Sequence, residues 1–343
     1  MNKSLFLAMT ACAAMALTSC SSEDLTSGTT QANETPISFS TYLGRAAESR
    51  ADETTSTSIQ TSGFGVFASY TTGDWNNNTP NFMFNQNVEH SQSGWSYTPV
   101  KYWTNSGKFS FFAYAPYGTE NNGITASSAN TAADAPVLKI TVPTDDVSKM
   151  IDFVAANAMN KTYSTSEAGE VKFVLKHEMT RAAFKATTAQ DIDNHTSVTV
   201  TGITLKGTKL YKEATYQFAS TETGTGTWKP SLQETENTIT LSNLSVTGDE
   251  KSPYLYLIPV SDLGENEVTV EVNYTVTTTD GQVNDGKVTT SGTQTVKLPK
   301  NTLEQGKSYV FTFSIGLNEI KLSATVDDWT TDTDINIDVL ANN

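Results

Sequence analysis

Along most of this chain apolar and polar side chains alternate one for one. The clearest run is residues 267–276, EVTVEVNYTV, where Val268, Val270, Val272, Tyr274 and Val276 fall on one face and Thr269, Glu271, Asn273 and Thr275 on the other. Successive side chains of a strand point to opposite faces, so a period of two predicts a half-buried antiparallel strand. The same alternation marks Ile37/Phe39/Leu43, Phe64/Val66/Ala68/Tyr70, Phe109/Phe111/Ala113 and Val171/Phe173/Leu175. It returns in Tyr309/Phe311/Phe313/Ile315, Ile320/Leu322/Ala324/Val326 and Ile335/Ile337/Val339. Turn residues separate the runs: Thr72-Gly73-Asp74, Asn105-Ser106-Gly107, Asn122-Gly123, and the pairs Asp280-Gly281 and Asp285-Gly286. Such residues accept the backbone conformations of tight hairpins. Apart from short turns near Asp145 to Lys149, no stretch carries a long helical period. The expected class is all-β, with antiparallel sandwich topology favoured over a single barrel.

The amino end departs from this pattern. Lys3 is followed by an apolar run over residues 5–17, LFLAMTACAAMAL, then by small residues and Cys20. That order is a secretory signal. A bilayer-spanning helix needs about 20 apolar residues, and this run is shorter. Leu17-Thr18-Ser19-Cys20 matches the bacterial lipobox, whose chemistry requires cysteine because only a thiol forms the diacylglyceryl thioether. The expectation is removal of residues 1–19, acylation of Cys20 with fatty acids such as palmitate, and anchoring in the cell outer membrane, stable because more than one chain is attached. Residues 20–35 are nearly free of apolar side chains after the cysteine and read as a flexible tether. Its acidic pair Glu23-Asp24 resembles signals that send lipoproteins to the surface in some Gram-negative groups.

Of the two cysteines, Cys12 lies inside the signal, so Cys20 alone would remain and no internal disulfide can form. Stability must then come from packed cores, which the remaining length can supply for about two domains. A net charge of −15 argues against nucleic acid as a partner, since phosphate binding needs clustered Lys and Arg. Composition shifts from aromatic-rich to Val/Thr-rich within residues 160–170, NKTYSTSEAGE. A domain boundary is expected there, giving an N-terminal β-sandwich domain over 36–168 and a C-terminal one over 169–343.

Candidate chemistry is sparse. The three histidines, His90, His177 and His195, are scattered, and there is no His-Glu-x-x-His, no Gly-x-Ser-x-Gly and no phosphate-cradling glycine loop. The reading is no enzyme, no cofactor and no metal site. DTDINIDVLANN sets Asp332, Asp334, Asn336 and Asp338 at alternate positions, as a calcium loop does. Ile337 stands where that loop requires glycine and Asn343 where it requires glutamate, so the segment reads better as a strand. Five tryptophans, Trp75, Trp95, Trp103, Trp228 and Trp329, could stack on sugar rings or fill cores. An exposed coplanar pair such as Trp95 and Trp103 would favour the rival reading, a surface glycan-binding lipoprotein.

The lipobox, an early alternating strand followed by arginines, then GFGVFASY, WSYTPVKYWTNSGKFSFFAYAP, IDFVAAN, VKFVLKHEMTRAAFKA and a closing VDDWTTDTDINIDV together resemble the fimbrillin family, the type V pilins and their accessory subunits. The resemblance covers nearly the whole mature chain in order. It implies two tandem transthyretin-like antiparallel β-sandwich domains and a structural or accessory subunit of a cell-surface pilus, or fimbrium, with an adhesive role and a host or glycan ligand left open. It further implies proteolytic removal of an N-terminal strand and assembly with other pilus subunits by β-strand addition. Residues 36–43, PISFSTYL, suit the strand that is lost, and Arg45 and Arg50 in the polar segment behind it are the candidate processing sites for a trypsin-like protease. The candidate donor strand carries Ile335, Ile337 and Val339 on one face. Before processing, the acylated Cys20 would hold the chain to outer-membrane lipid.

Overall fold

The computed structural model describes residues 34–43, 53–119, 121–126, 134–188, 194–233, 235–248, 250–282, 286–316 and 320–329. All lie in one compact unit, residues 32–343; the other unit is residues 1–31. The expectations at Cys20, Arg45, Arg50, Ile335, Ile337 and Val339 fall outside the described residues.

Nearly all the regular elements among the described residues are strands, as the alternation predicts. In chain order the strands are β1 (Ser38–Leu43), β2 (Phe64–Thr71), β3 (Met83–Ser91), β4 (Gly94–Ser96), β5 (Lys108–Ala115), β6 (Ile124–Ala126), β7 (Val137–Thr141), β8 (Val154–Lys161) and β9 (Glu170–His177). They continue as β10 (Thr180–Thr188), β11 (Thr196–Gly207), β12 (Glu213–Gln217), β13 (Thr227–Pro230), β14 (Asn237–Leu241) and β15 (Leu255–Leu257). The last are β16 (Val268–Thr279), β17 (Lys287–Lys297), β18 (Lys307–Ile315) and β19 (Ile320–Asp328).

Four sheets result. The first has seven strands in the order β1-β9-β8-β5-β2-β3-β4. It curls until its ends meet: Pro36 bridges Tyr102, the Ile37 N–H donates to Lys101 O at 2.8 Å, and the Trp103 N–H donates to Thr35 O at 3.1 Å. Inside the curl lies an aromatic core built from Phe39, Phe64, Phe109, Phe111, Phe173 and Trp103. The sequence shows one apolar face in β2 and β5, yet the structure buries both. Phe67, Phe112 and Tyr114 point the other way and pack on a small sheet, β13-β12-β7-β6, through Leu138, Ile140, Tyr216 and Phe218. That sheet draws β6 and β7 from the first half of the chain and β12 and β13 from the second.

The remaining sheets, β15-β10-β18-β19 and β14-β11-β16-β17, share one buried cluster. Phe184, Phe311 and Phe313 enter it from one sheet, and Val200, Ile203, Leu205, Val270 and Val272 from the other. In β16 the expected alternation holds, with Val268, Val270 and Val272 buried and Tyr274 and Val276 half-buried as the strand runs outward.

Two elements differ from expectation. The boundary expected at 168/169 falls in the turn between β8 and β9, inside the first sheet, and Val171, Phe173 and Leu175 of β9 fill that sheet's core. Sheet membership changes instead between His177 and Thr180. Composition did not show this because β9 carries the Val-rich character of the second half while serving the first. The other is a short helix, α1 (Ser56–Ser62), which has a single buried residue, Ile59, and so no period to read. Its signal is local: Thr55 and Ser58 cap each other's backbone N–H groups, and Gly63, at φ 67°, ends the helix.

Candidate functional site

β1 is the element that sets this site. It lies at the edge of the first sheet and runs parallel to β9 over six residues, from Ser38 opposite Glu170 to Leu43 opposite Leu175. On its other side β9 pairs with β8 only at Val154/His177 and Ala155/Lys176. Most of the ladder that β9 makes is therefore with β1. Among the described residues its far side is paired at its start, where Pro36 bridges Tyr102 and Ile37 and Thr35 bond residues 101–103, and from Ser38 on its ladder is with β9 alone, so little is torn on that side when it leaves.

The inward side chains explain why β1 stays. Ile37, Phe39 and Leu43 are buried. Phe39 stacks on Phe173 with ring centres 5.7 Å apart, meets Phe111 edge-on at 5.7 Å and Phe64 at 6.4 Å, and lies 5.3 Å from Tyr97. Burial of three such side chains contributes about 5 to 9 kcal/mol before ordering costs. The outward face is different: Tyr42 and its cross-strand partner Val174 are 58% and 59% exposed. β1 is thus a well-seated plug in an apolar slot whose rear wall is β9.

A second assembly lies just beyond the end of β9. Glu53, Asp152 and His177 are all buried. Trp329 donates its indole N–H to Glu53 Oε1 at 2.8 Å, and Arg181 Nη1 lies 2.9 Å from Glu53 Oε2. The Thr54 N–H donates to Asp152 Oδ2 at 3.0 Å, and His177 Nδ1 lies 2.8 Å from the same oxygen. The arginine and histidine contacts are close but off the hydrogen-bond line, so Glu53 Oε2, His177 Nδ1 and Asp152 Oδ1 make no hydrogen bond. Ligand atoms of Glu53, Asp152 and His177 fall within 4.8 Å of one another, a spacing that suits a metal. The Arg181 guanidinium, however, already supplies the cation next to Glu53, and the indole N–H takes its other oxygen. The cluster reads as a closed polar joint.

Adjacent Glu178 faces the opposite way. Burial pushes its carboxyl up from 4.5 to about 7, against hydrogen bonds from Gln305 and Tyr216 that favour the charged form. Burial likewise raises the Tyr216 hydroxyl, with the Glu178 charge beside it adding to the effect.

The tryptophans do not form the exposed platform that the glycan-binding reading needs. Trp103 is buried, meets Phe109 edge-on at 5.4 Å and donates to Gly169 O at 2.9 Å. Trp95 is half-buried, edge-on to Phe64 at 4.8 Å and opposite His90 across the β3–β4 ladder. Trp75 and Trp329 are buried and Trp228 is half-buried. Among the described residues no helix is long and apolar enough to cross a membrane.

Known proteins share this chain's pattern. A family model described as fimbrillin-like matches residues 49–329. The chain is 30% identical to the fimbrium subunit Fim1C of Phocaeicola vulgatus, over 98% of this chain and 99% of that protein. Among solved structures, a fimbrial protein from Bacteroides vulgatus superposes with a TM-score of 0.72 at 26% identity, covering 87% of this chain and 100% of that one.

Proposed function

The chain belongs to the fimbrillin-like family, and we propose that, as a structural subunit of a cell-surface fimbrium, it joins other pilus subunits by giving up β1 to proteolysis and accepting a neighbour's strand in its place. The observation that carries this reading is the seat of β1: an edge strand with six ladder positions on one partner and three side chains in an apolar slot.

The energetics explain why a cut is needed. Residues 44–52 tie β1 to the rest of the fold, which keeps its effective concentration at the slot on the order of millimolar. A neighbour's strand bearing Ile335, Ile337 and Val339 offers apolar burial of the same size, about 5 to 9 kcal/mol gross. It cannot displace an equal competitor that is covalently held in place. Cleavage at Arg45 or Arg50 removes that advantage and, with it, the link to a lipid at Cys20.

The test is electron microscopy of protein treated with an arginine-specific protease. Fibres are expected from the natural chain and from Asp338→Asn, and none from Arg45→Ala combined with Arg50→Ala or from Ile337→Asp, which puts a charge into an apolar slot. Fibres at normal yield from the double arginine variant would overturn the processing step. Cys20→Ser is expected to abolish incorporation of labelled palmitate without changing the fold.

A further inference from the structure

Glu53 is the first described residue after the segment that carries Arg45 and Arg50, and Trp329 is the last before the tail that carries Ile335, Ile337 and Val339. They are 276 positions apart, yet they touch through the buried hydrogen bond from the indole N–H to Glu53 Oε1. The chain on either side is fixed as well. Thr54 holds Asp152 twice, its N–H on Oδ2 and its hydroxyl on the backbone oxygen at 2.6 Å. Thr55 caps α1. The Trp329 N–H donates to Gly306 O at 3.1 Å, and the Trp329 ring lies parallel to His177, 4.0 Å away. Arg181 completes the set: its guanidinium carbon stands 4.8 Å from the Trp329 ring centre and 4.4 Å from that of Tyr254, and its Nε donates to Ser308 Oγ at 3.0 Å.

From this juxtaposition we propose that Glu53, Arg181 and Trp329 form a clasp that holds the amino end left by processing against the root of the carboxy-terminal tail, so that the cut frees β1 and loosens neither. This rests on the processing step proposed above. Glu53 lies after both arginines, so cleavage at either leaves it on the retained piece. Undocking it would take the carboxylate away from the Arg181 guanidinium and the Thr54 N–H away from buried Asp152, a cost above that of a surface ion pair. His177, on which Trp329 stacks, lies two residues past Leu175, the position opposite Leu43, so Glu53 is anchored beyond the end of the β1–β9 ladder.

Hydrogen exchange of the full chain, before and after arginine-specific cleavage, tests this on the peptides spanning residues 53–62 and 320–329. The natural protein is expected to keep both peptides as protected after cleavage as before. In Glu53→Gln, which removes the charge and keeps the shape, both peptides of the cleaved protein are expected to exchange about tenfold faster, together. Trp329→Phe keeps the ring and loses only the N–H, and serves if Glu53→Gln fails to fold. Loss of protection at 53–62 on cleavage of the natural chain, or a variant in which 320–329 stays protected while 53–62 opens, overturns the clasp. A chain with residues 45–50 replaced by the site of an unrelated protease is cut at the same place. Failure of arginine cleavage alone thus counts against the processing step, and the clasp is still decided.

Discussion

Among the described residues two parallel strand pairs interrupt the antiparallel sheets, and they are held in opposite ways. β1 runs beside β9 at an edge, and from Ser38 to Leu43 it has no second ladder. β10 runs beside β18 over eight residues, but it is also paired with β15, and the Ser252 N–H donates to Phe184 O while the Phe184 N–H donates to Ser252 Oγ. Both strands bury a phenylalanine among rings: Phe39 against Phe173, Phe111 and Phe64, and Phe184 against Phe311 at 5.5 Å and Phe313 at 5.6 Å. Side-chain burial therefore does not distinguish β1, the strand proposed to leave, from β10. Topology does: removing β10 would leave two ladders open in the middle of a sheet, and removing β1 opens one at its rim.

The largest effect follows from the matched phenylalanines. Phe184→Ala is expected to cost about 3 to 5 kcal/mol in urea unfolding, whether or not the chain has been cut. Phe39→Ala is expected to cost the same range, about 3 to 5 kcal/mol, in the uncut chain and nothing once β1 has been cleaved and exchanged. If Phe39→Ala still destabilises the cut, assembled protein, β1 has not left its slot.

The next effect lies in the link between the two pairs. His177 closes β9 and faces the Glu53 cluster, while Glu178 faces Tyr216 and Gln305. Folded Glu178 holds its proton to about pH 7, against 4.5 when unfolded. Glu178 therefore binds its proton more tightly in the folded state, and its contribution to stability is fully present below pH 4.5 and is lost as pH rises through about 7. The loss from this one group is about 3 kcal/mol by pH 8. Glu178→Gln is expected to flatten that part of the pH profile in thermal unfolding and to be the more stable protein at pH 8. An unchanged slope between pH 5 and 7.5 would count against the buried carboxyl as its source.

The smallest effect contrasts the two faces of β1. Tyr42→Ser, outward beside Val174, is expected to change the stability of the uncut chain by less than about 1 kcal/mol. A cost equal to that of Phe39→Ala would mean that the outer face is covered.

The alternation in the sequence made the strands legible, because a period of two survives whatever a strand packs against. The slot was legible for the same reason, since Ile37, Phe39 and Leu43 sit on one face of PISFSTYL. The second buried face of β2 and β5 was harder to see. Phe67, Phe112 and Tyr114 break the alternation only by making it continuous, and what covers them, Leu138 and Ile140 with Tyr216 and Phe218, comes from two separate parts of the chain. The clasp was written in pieces: Asp152 in IDFVAAN, His177 and Arg181 in VKFVLKHEMTRAAFKA, and Trp329 in VDDW. Each motif contributes one or two members, and no spacing along the chain announces that they meet.

The stacking of His177 on Trp329 has a mechanical consequence. In a fibre joined by strand exchange, tension enters a subunit through the strand seated on β9 and leaves through the tail that begins after Trp329. Because β9 ends at His177, those two points lie 4.0 Å apart, ring centre to ring centre. Under the proposed exchange, pulling force then crosses the subunit at this one joint.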